Sequence, residues 1–326
     1  MTTIFPMKFL KYSTIVICSI LLILYIWGKL YSIEAPLVKS SRIADTIHIQ
    51  NDLRFLTKEC RYRNYQNLAA LNKAADYVEA GFKKITPRVE EQRYRVKGQQ
   101  FRNITCSVGP ENAERIIIGA HYDACGDQEG ADDNASGIAG LLELARLLNN
   151  ADLRYRVDFV AYTLEEPPFF RSNYMGSYMH AKYLHDQHIP VKGMICLEMV
   201  GYYSSAENSQ DYPVGIMEWF YGDKADYITA VHKWNNGSFA DTLTRILKTE
   251  QYLPTKSFTG PAWVPGVDFS DHLNYWKFGY SALMLTNTSF YRNHNYHLAG
   301  DTFETINMGN IGLVVDELYR AIRLLQ

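Results

Sequence analysis

The residues of this 326-residue chain that could do chemistry fall in a few short clusters. HYD supplies His121 and Asp123, and ADDNASG supplies Asp132 and Asp133. TLEEPPFF supplies Glu165 and Glu166, LEMVG supplies Glu198, and NHNYHLAGDT supplies His294 and His297. Singly, most have an ordinary structural reading. Asp132 or Asp133, at the mouth of an apolar helix, would make a good N-cap. A lone histidine at a strand end is usually a satisfied polar group, and an acid pair before Pro167–Pro168 is usually a solvated turn. Glu198 is harder to set aside. Its neighbours are Met194, Ile195, Leu197, Met199 and Val200, and a carboxylate among them is costly to bury unless paired or metal-bound. Jointly, two imidazoles and three carboxylates are an N/O donor set suited to zinc. Such a set exceeds what one four-coordinate zinc takes. It suits two ions sharing a carboxylate, a clamp for the attacking and developing oxygens of a hydrolysis. Adjacent Glu165 and Glu166 suit a division of labour, one ligating and the other taking a proton from water.

Elements must bring these clusters together. Helical patterns cover 42–58 and 66–84. VEEQRYRV (89–96) and FRNITCSV (101–107) alternate around Gly98 and read as a hairpin. RIIIGAHYD (115–123), RVDFVAYTLEE (156–166), GMICLEMVGYY (193–203) and YSALMLTNT (280–288) read as strands. Residues 135–149, 177–187 and 224–249 read as mainly helical, 204–225 and 251–268 as variable loops, and MGNIGLVVDELYRAIRLLQ as an amphipathic closing helix. The alternation predicts an α/β fold with a mixed, mostly parallel central sheet covered by helices on both faces. In such sheets ligands bind beyond the carboxyl ends of the strands, where His121, Glu165–Glu166 and Glu198 fall.

Bulk properties narrow the classes. The net charge is −2, and the first thirty residues hold Lys8, Lys11 and Lys29 without acids. The acidic remainder argues against nucleic acid as a partner. Residues 12–28, YSTIVICSILLILYIWG, carry no charge and reach the minimum length for a bilayer span, with Tyr12, Tyr25 and Trp27 near its ends. They are expected to be an uncleaved signal-anchor, a cleaved signal peptide being the competing reading. Residues 1–11 then form a cytoplasmic tail, 29–41 a tether, and 42–326 a catalytic body on the extracytoplasmic side, periplasmic or extracellular. Five cysteines form no disulfide framework or zinc-knuckle spacing. Cys60 and Cys106 could pair in an oxidising compartment. Cys125, in the loop between His121 and Asp133, is read as structural, with soft-donor ligation as the competing reading.

The ordered set HYD, ADDNASG, LEEPPF, LEMVG, and YH followed by DT resembles the co-catalytic di-zinc aminopeptidases, metallopeptidase family twenty-eight. Glutamate carboxypeptidase II and animal glutaminyl cyclase belong to the same superfamily. The resemblance spans roughly residues 60–326 and implies a zinc-exopeptidase-like fold with two Zn2+, with cobalt or manganese as possible substitutes. It implies that His121 and Glu198 ligate one zinc and Glu166 and His297 the other, with Asp133 bridging both. Glu198 stands where many members have Asp, which keeps the ligand type and changes its reach. Asp123 would orient the His121 imidazole. Glu165 would be the general base on a metal-bridged water and later the proton donor, and Tyr296 would donate to the developing oxyanion. His272, in FSDHLNYWKFGYSALML, would line the substrate pocket, and His294 would stay off the metals.

The expected activity is therefore aminopeptidase removal of N-terminal residues from peptides. A glutaminyl cyclase-like acyltransferase is the related alternative. A catalytically silent binding domain is the alternative from another class, and the retained ligands and base argue against it.

Overall fold

The computed structural model describes residues 12, 14–19, 42–249 and 252–325. An eight-stranded sheet runs through the body in the order β1-β2-β4-β3-β5-β8-β6-β7. Its strands are β1 (Val89–Val96), β2 (Gln99–Val108), β3 (Arg115–His121), β4 (Arg156–Tyr162), β5 (Val191–Glu198), β6 (Ile228–Lys233), β7 (Thr255–Gly260) and β8 (Ala282–Thr286). Strands β4, β3, β5 and β8 are mutually parallel. The β1–β2 hairpin adds antiparallel to β4, and β6 adds antiparallel to β8.

The central strands are apolar throughout because both faces are covered. In β3, Ile116, Ile118 and Ala120 enter one core and Ile117 enters the other. In β5, Ile195 and Leu197 alternate with Met194 and Cys196 in the same way. The first core is closed by α1 (Thr46–Arg54), α2 (Leu68–Ile85), α3 (Gly137–Leu148), α6 (Ser238–Thr249) and α8 (Met308–Leu324). The second lies under α4 (Gly176–Asp186) and α7 (His272–Lys277). One short helix, α5 (Glu218–Tyr221), stands in the long connection before β6.

The expected α/β architecture is present, with one correction. Residues 224–249, expected to be mainly helical, contain β6 before α6, and the expected loop at 251–268 contains β7. The overlooked signal is the turn Asn235-Asn236-Gly237, where Asn235 and Gly237 take φ of 53° and 84°. Helical periodicity stops at such a turn. The apolar run before it pairs with β8 on one side and β7 on the other. Cys60 and Cys106 are buried and unbridged. Most of the expected anchor at 12–28, with the tail and tether, lies outside the described residues. Residues 14–19 are helical, and among the described residues no helix is long and apolar enough to cross a membrane.

A buried polar chain ties α4 and α7 to the sheet. His180 Nδ1 and Tyr275 Oη are 2.7 Å apart, and Tyr275 Oη is 2.7 Å from Tyr162 Oη. Burial pushes the His180 imidazole down from 6.5 to about 4. Between those values the unfolded chain binds a proton that the folded chain refuses. Stability is therefore intact above pH 6.5 and falls as pH drops toward 4, by roughly 3 kcal/mol in full. Thermal melts should show a shallower loss across that window for His180→Gln than for the parent. Equal slopes would contradict this account.

Candidate metal centre

The carboxyl ends of the four parallel strands carry the predicted residues into one crevice. His121 ends β3, Glu165 and Glu166 follow β4, Glu198 ends β5, and His297 lies beyond β8. Asp133 arrives from the turn Ala131–Ser136, which feeds into α3. Left-handed backbone at Leu164, Met199 and His297, with φ of 58°, 49° and 57°, turns the chain sharply at these positions.

The donor atoms converge. His121 Nε2 lies 3.3 Å from Glu198 Oε2, 3.4 Å from Asp133 Oδ1 and 3.9 Å from Glu165 Oε2. His297 Nε2 lies 3.1 Å from both Asp133 Oδ2 and Glu166 Oε2. Asp133 thus faces one imidazole with each oxygen. His121 Nδ1 is 3.2 Å from the Asp123 carbonyl oxygen, which assigns its proton to Nδ1 and leaves the Nε2 lone pair free.

The charges follow from this crowding. Burial raises Glu165 well above the usual carboxylate range, and the neighbouring carboxylates add to it. Burial and Asp133 push Glu166 up to about 8. Burial opposes ionisation of Asp133 too, but the two imidazoles hold it below its ordinary value. Burial lowers both histidines, yet the surrounding carboxylates raise them above their ordinary value.

These residues fit a metal. His121 Nε2, Asp133 Oδ2 and Glu166 Oε1 are buried without a hydrogen-bond partner. His121, Asp133 and Glu198 each offer a donor atom within 4.8 Å of the others, as do Cys125, Glu166 and His297. Buried imidazoles and carboxylates crowded together, with donor atoms left over, are the usual surroundings of a cation.

Several placements differ from expectation in detail. The Asp123 carboxylate is 3.6 Å from His121 Nδ1, but it accepts from the backbone N–H groups of Glu165 and Glu166 at 3.2 and 3.1 Å. It therefore holds the acid pair as well as the ring. Neither aspartate of the opening pair caps α3: Asn134 Oδ1 accepts from Gly137 N at 3.1 Å. Asp132 is a clamp between loops. It accepts from Gly201 N at 2.8 Å, Tyr202 N at 3.1 Å, Asn287 Nδ2 at 2.8 Å and Asn293 Nδ2 at 3.0 Å. His272 is buried rather than in the pocket wall, where it meets the carbonyl of Val267 at 2.8 Å. Val267 lines the wall instead. His294 pairs with Asp211 at the surface, 3.0 Å away. The Tyr296 ring stacks on His297 at 3.8 Å. Burial and the nearby Asp133, Glu166, Glu165 and Glu198 raise its phenol, which stays protonated.

Sequence reasoning missed the supporting groups. Arg63 is fully buried and donates to the carbonyls of Tyr122, Glu129 and Gly130, bracing the loop between His121 and Asp133. Gly130 in that loop has φ of 56°, and a Cβ there would sit 2.3 Å from the Asp133 carbonyl oxygen. Asp301 accepts from Asp132 N and Asp133 N at 2.8 and 3.1 Å. Ser270 Oγ donates to Glu198 Oε2 at 2.6 Å. Asp271 beside it is fully buried, and burial raises it to about 7. The DT and FSDH segments were visible signals for Asp301 and Ser270–Asp271, but a single arginine in RYRNY offered none for Arg63.

The fold and the clustered donors define a zinc-exopeptidase-like α/β protein. Residues 103–321 match the model of peptidase family M28, and the chain belongs to that family. YfbL of Escherichia coli strain K12 is 41% identical over 318 residues, covering 95% of this chain and 97% of that one. Among solved structures, the zinc aminopeptidase BSAP from Bacillus subtilis aligns with a TM-score of 0.66 and 14% identity, over 86% of this chain and 96% of that one. Porphyromonas gingivalis glutaminyl cyclase aligns with a TM-score of 0.67 and 18% identity, over 88% and 100%. At these identities the likeness is one of fold. Family membership supports metal-dependent peptide hydrolysis and implies zinc.

The two adjacent aspartates should separate in denaturation of the metal-free protein. Asp132→Ala strands four donors, three of them buried, and is expected to cost at least about 3 kcal/mol. Asp133→Ala leaves only the two imidazoles unpaired, and these can shed their protons instead, so it should cost clearly less than Asp132→Ala. Comparable losses from urea midpoints would refute the assignment.

Proposed function

We propose that this protein is a di-zinc aminopeptidase that removes N-terminal residues from peptides. The observation that carries the reading is the convergence of His121, Asp133, Glu198, Glu166 and His297 on one buried crevice, with Glu165 beside them. His121, Asp133 and Glu198 would hold one ion, Glu166 and His297 the other, and Asp133 would serve both. Zinc held there polarises the scissile carbonyl and makes water a nucleophile near neutral pH. Glu165 takes the proton released on attack and returns it to the leaving amine, a shuttle suited to a carboxyl raised by burial. The Tyr296 phenol supplies a hydrogen bond to the oxygen that becomes negative. Arg63, Asp301 and Asp123 keep the loops still while this happens.

A pocket opens beside Glu198 and supports a preference for apolar N-terminal side chains. It encloses about 690 Å³ of empty space, part of it open to solvent. Its walls include Tyr227, Val231, Phe258, Val267, Met284 and Phe290. The apolar share of that lining suits a hydrophobic group, and the carboxylates of Glu198 and Asp211, which also border the pocket, oppose an acidic side chain.

The glutaminyl cyclase reading is supported by fold likeness. Retention of both His121 and Glu198 favours a second metal and hydrolysis. Membrane attachment through 12–28, with the body outside the cytoplasm, rests on the uncharged sequence of that segment.

Metal analysis of the purified chain should give about two zinc ions per molecule. Glu165→Gln should lower turnover of aminoacyl-anilides by about 10²-fold or more, and Tyr296→Phe by about 10²-fold. One bound ion, with cyclisation of N-terminal glutamine and no peptide cleavage, would overturn the proposal. Leucyl and phenylalanyl anilides should exceed aspartyl and glutamyl ones in kcat/KM by about tenfold or more. The reverse order would remove the pocket from the argument.

A further inference from the structure

The loop leaving β3 carries one side chain that the hydrolytic reading leaves without a part. Cys125 is half-buried and unbridged. Its Sγ, a carboxylate oxygen of Glu166 and a ring nitrogen of His297 all lie within 4.8 Å of one another. A second observation points into the same space. Glu166 is only 4% exposed, and its Oε1 has no hydrogen-bond partner. A carboxylate oxygen in that position calls for a cation. His297 Nε2 is 3.1 Å from Asp133 Oδ2 as well as from Glu166 Oε2. The His297 half of the crevice is thus flanked by Asp133, Glu166, His297 and Cys125. The His121 half has His121, Asp133 and Glu198.

We propose that Cys125 is a thiolate ligand of the ion held by Asp133, Glu166 and His297. This rests on the reading of the crevice as a metal centre. The thiol gives up its proton to solvent as the ion binds. Ligation by sulfur makes the two halves unequal. Four protein donors close a tetrahedral zinc site, whereas three leave a position open. The open position then falls on the His121 side, where Glu165 Oε2 stands 3.9 Å from His121 Nε2. A soft sulfur donor also biases the closed half toward zinc and away from manganese.

The test uses the full chain, stripped with a chelator and reloaded with Zn2+ or Co2+. Alkylation by iodoacetamide is followed by mass spectrometry. Zinc should slow modification of Cys125 by about tenfold or more, with Cys18, outside the cluster, as the internal control. Cobalt loading should produce a near-ultraviolet sulfur-to-metal charge-transfer band that is missing from Cys125→Ser. The same variant should bind its weaker ion at least about tenfold less tightly. If metal binds while Cys125 alkylates at its metal-free rate and the cobalt spectra of both proteins agree, the proposal falls and the metal centre stands. A chain that binds no metal at all overturns both.

Discussion

The structure is organised around keeping a group of carboxyl groups buried and close together, with few cations of the protein's own among them. Asp123, Asp133, Glu165, Glu166, Glu198 and Asp271 are all at most 7% exposed. The cations set among them are Arg63 and the imidazoles of His121 and His297. Like charges in a medium of low polarisability repel strongly, so the native arrangement persists only if the backbone beneath them cannot relax. That explains why the residues sit on the ends of parallel strands covered on both faces. It also explains why each loop carrying them is tied by buried hydrogen bonds to another loop. A divalent cation would convert the repulsion into attraction, and the same rigidity would then preserve an accurate set of donors.

The bracing is long-range. Asp132 binds amides 155 and 161 positions further along the chain, and Asp301 reaches back 169 positions to the N–H of Asp132. Such partners have no local signature. The site was legible because its donors follow the strand ends, where apolar periodicity stops and acids begin. Glu198 stood out since its neighbours left it nothing to pair with. Arg63 did not, because its partners are backbone carbonyls whose identity no side chain reveals. Asp132 was misleading in the opposite way. It looked like a cap, the commoner use of an acid before a helix, and the residue that meets the first free N–H is Asn134.

The edge of the sheet was the least legible part of the fold, and it supplies much of the wall of the apolar pocket. Thr229 and Val231 of β6, Phe258 of β7, and Met284 and Thr286 of β8 line the apolar pocket. Alternation puts Ile228 and Ala230 in the first core while Val231 faces the second. A six-residue strand gives too few alternations to separate it from a helix. Its identity is fixed by pairing with β8, a partner more than fifty residues downstream. The clustered imidazoles and carboxylates and the pocket wall therefore come from different kinds of information. Residue type at strand ends carries the first, and tertiary pairing carries the second.

The place of β8 between β5 and β6 has a consequence for the life of the chain. During synthesis, everything through β7 emerges before the strand that joins the two parts of the sheet exists. The loop holding His297 follows later still. A half-made chain therefore has neither a complete crevice nor a closed sheet, and the slow, non-local step of inserting β8 comes near the end. In this order of synthesis the crevice is assembled only after β8 and the His297 loop have emerged.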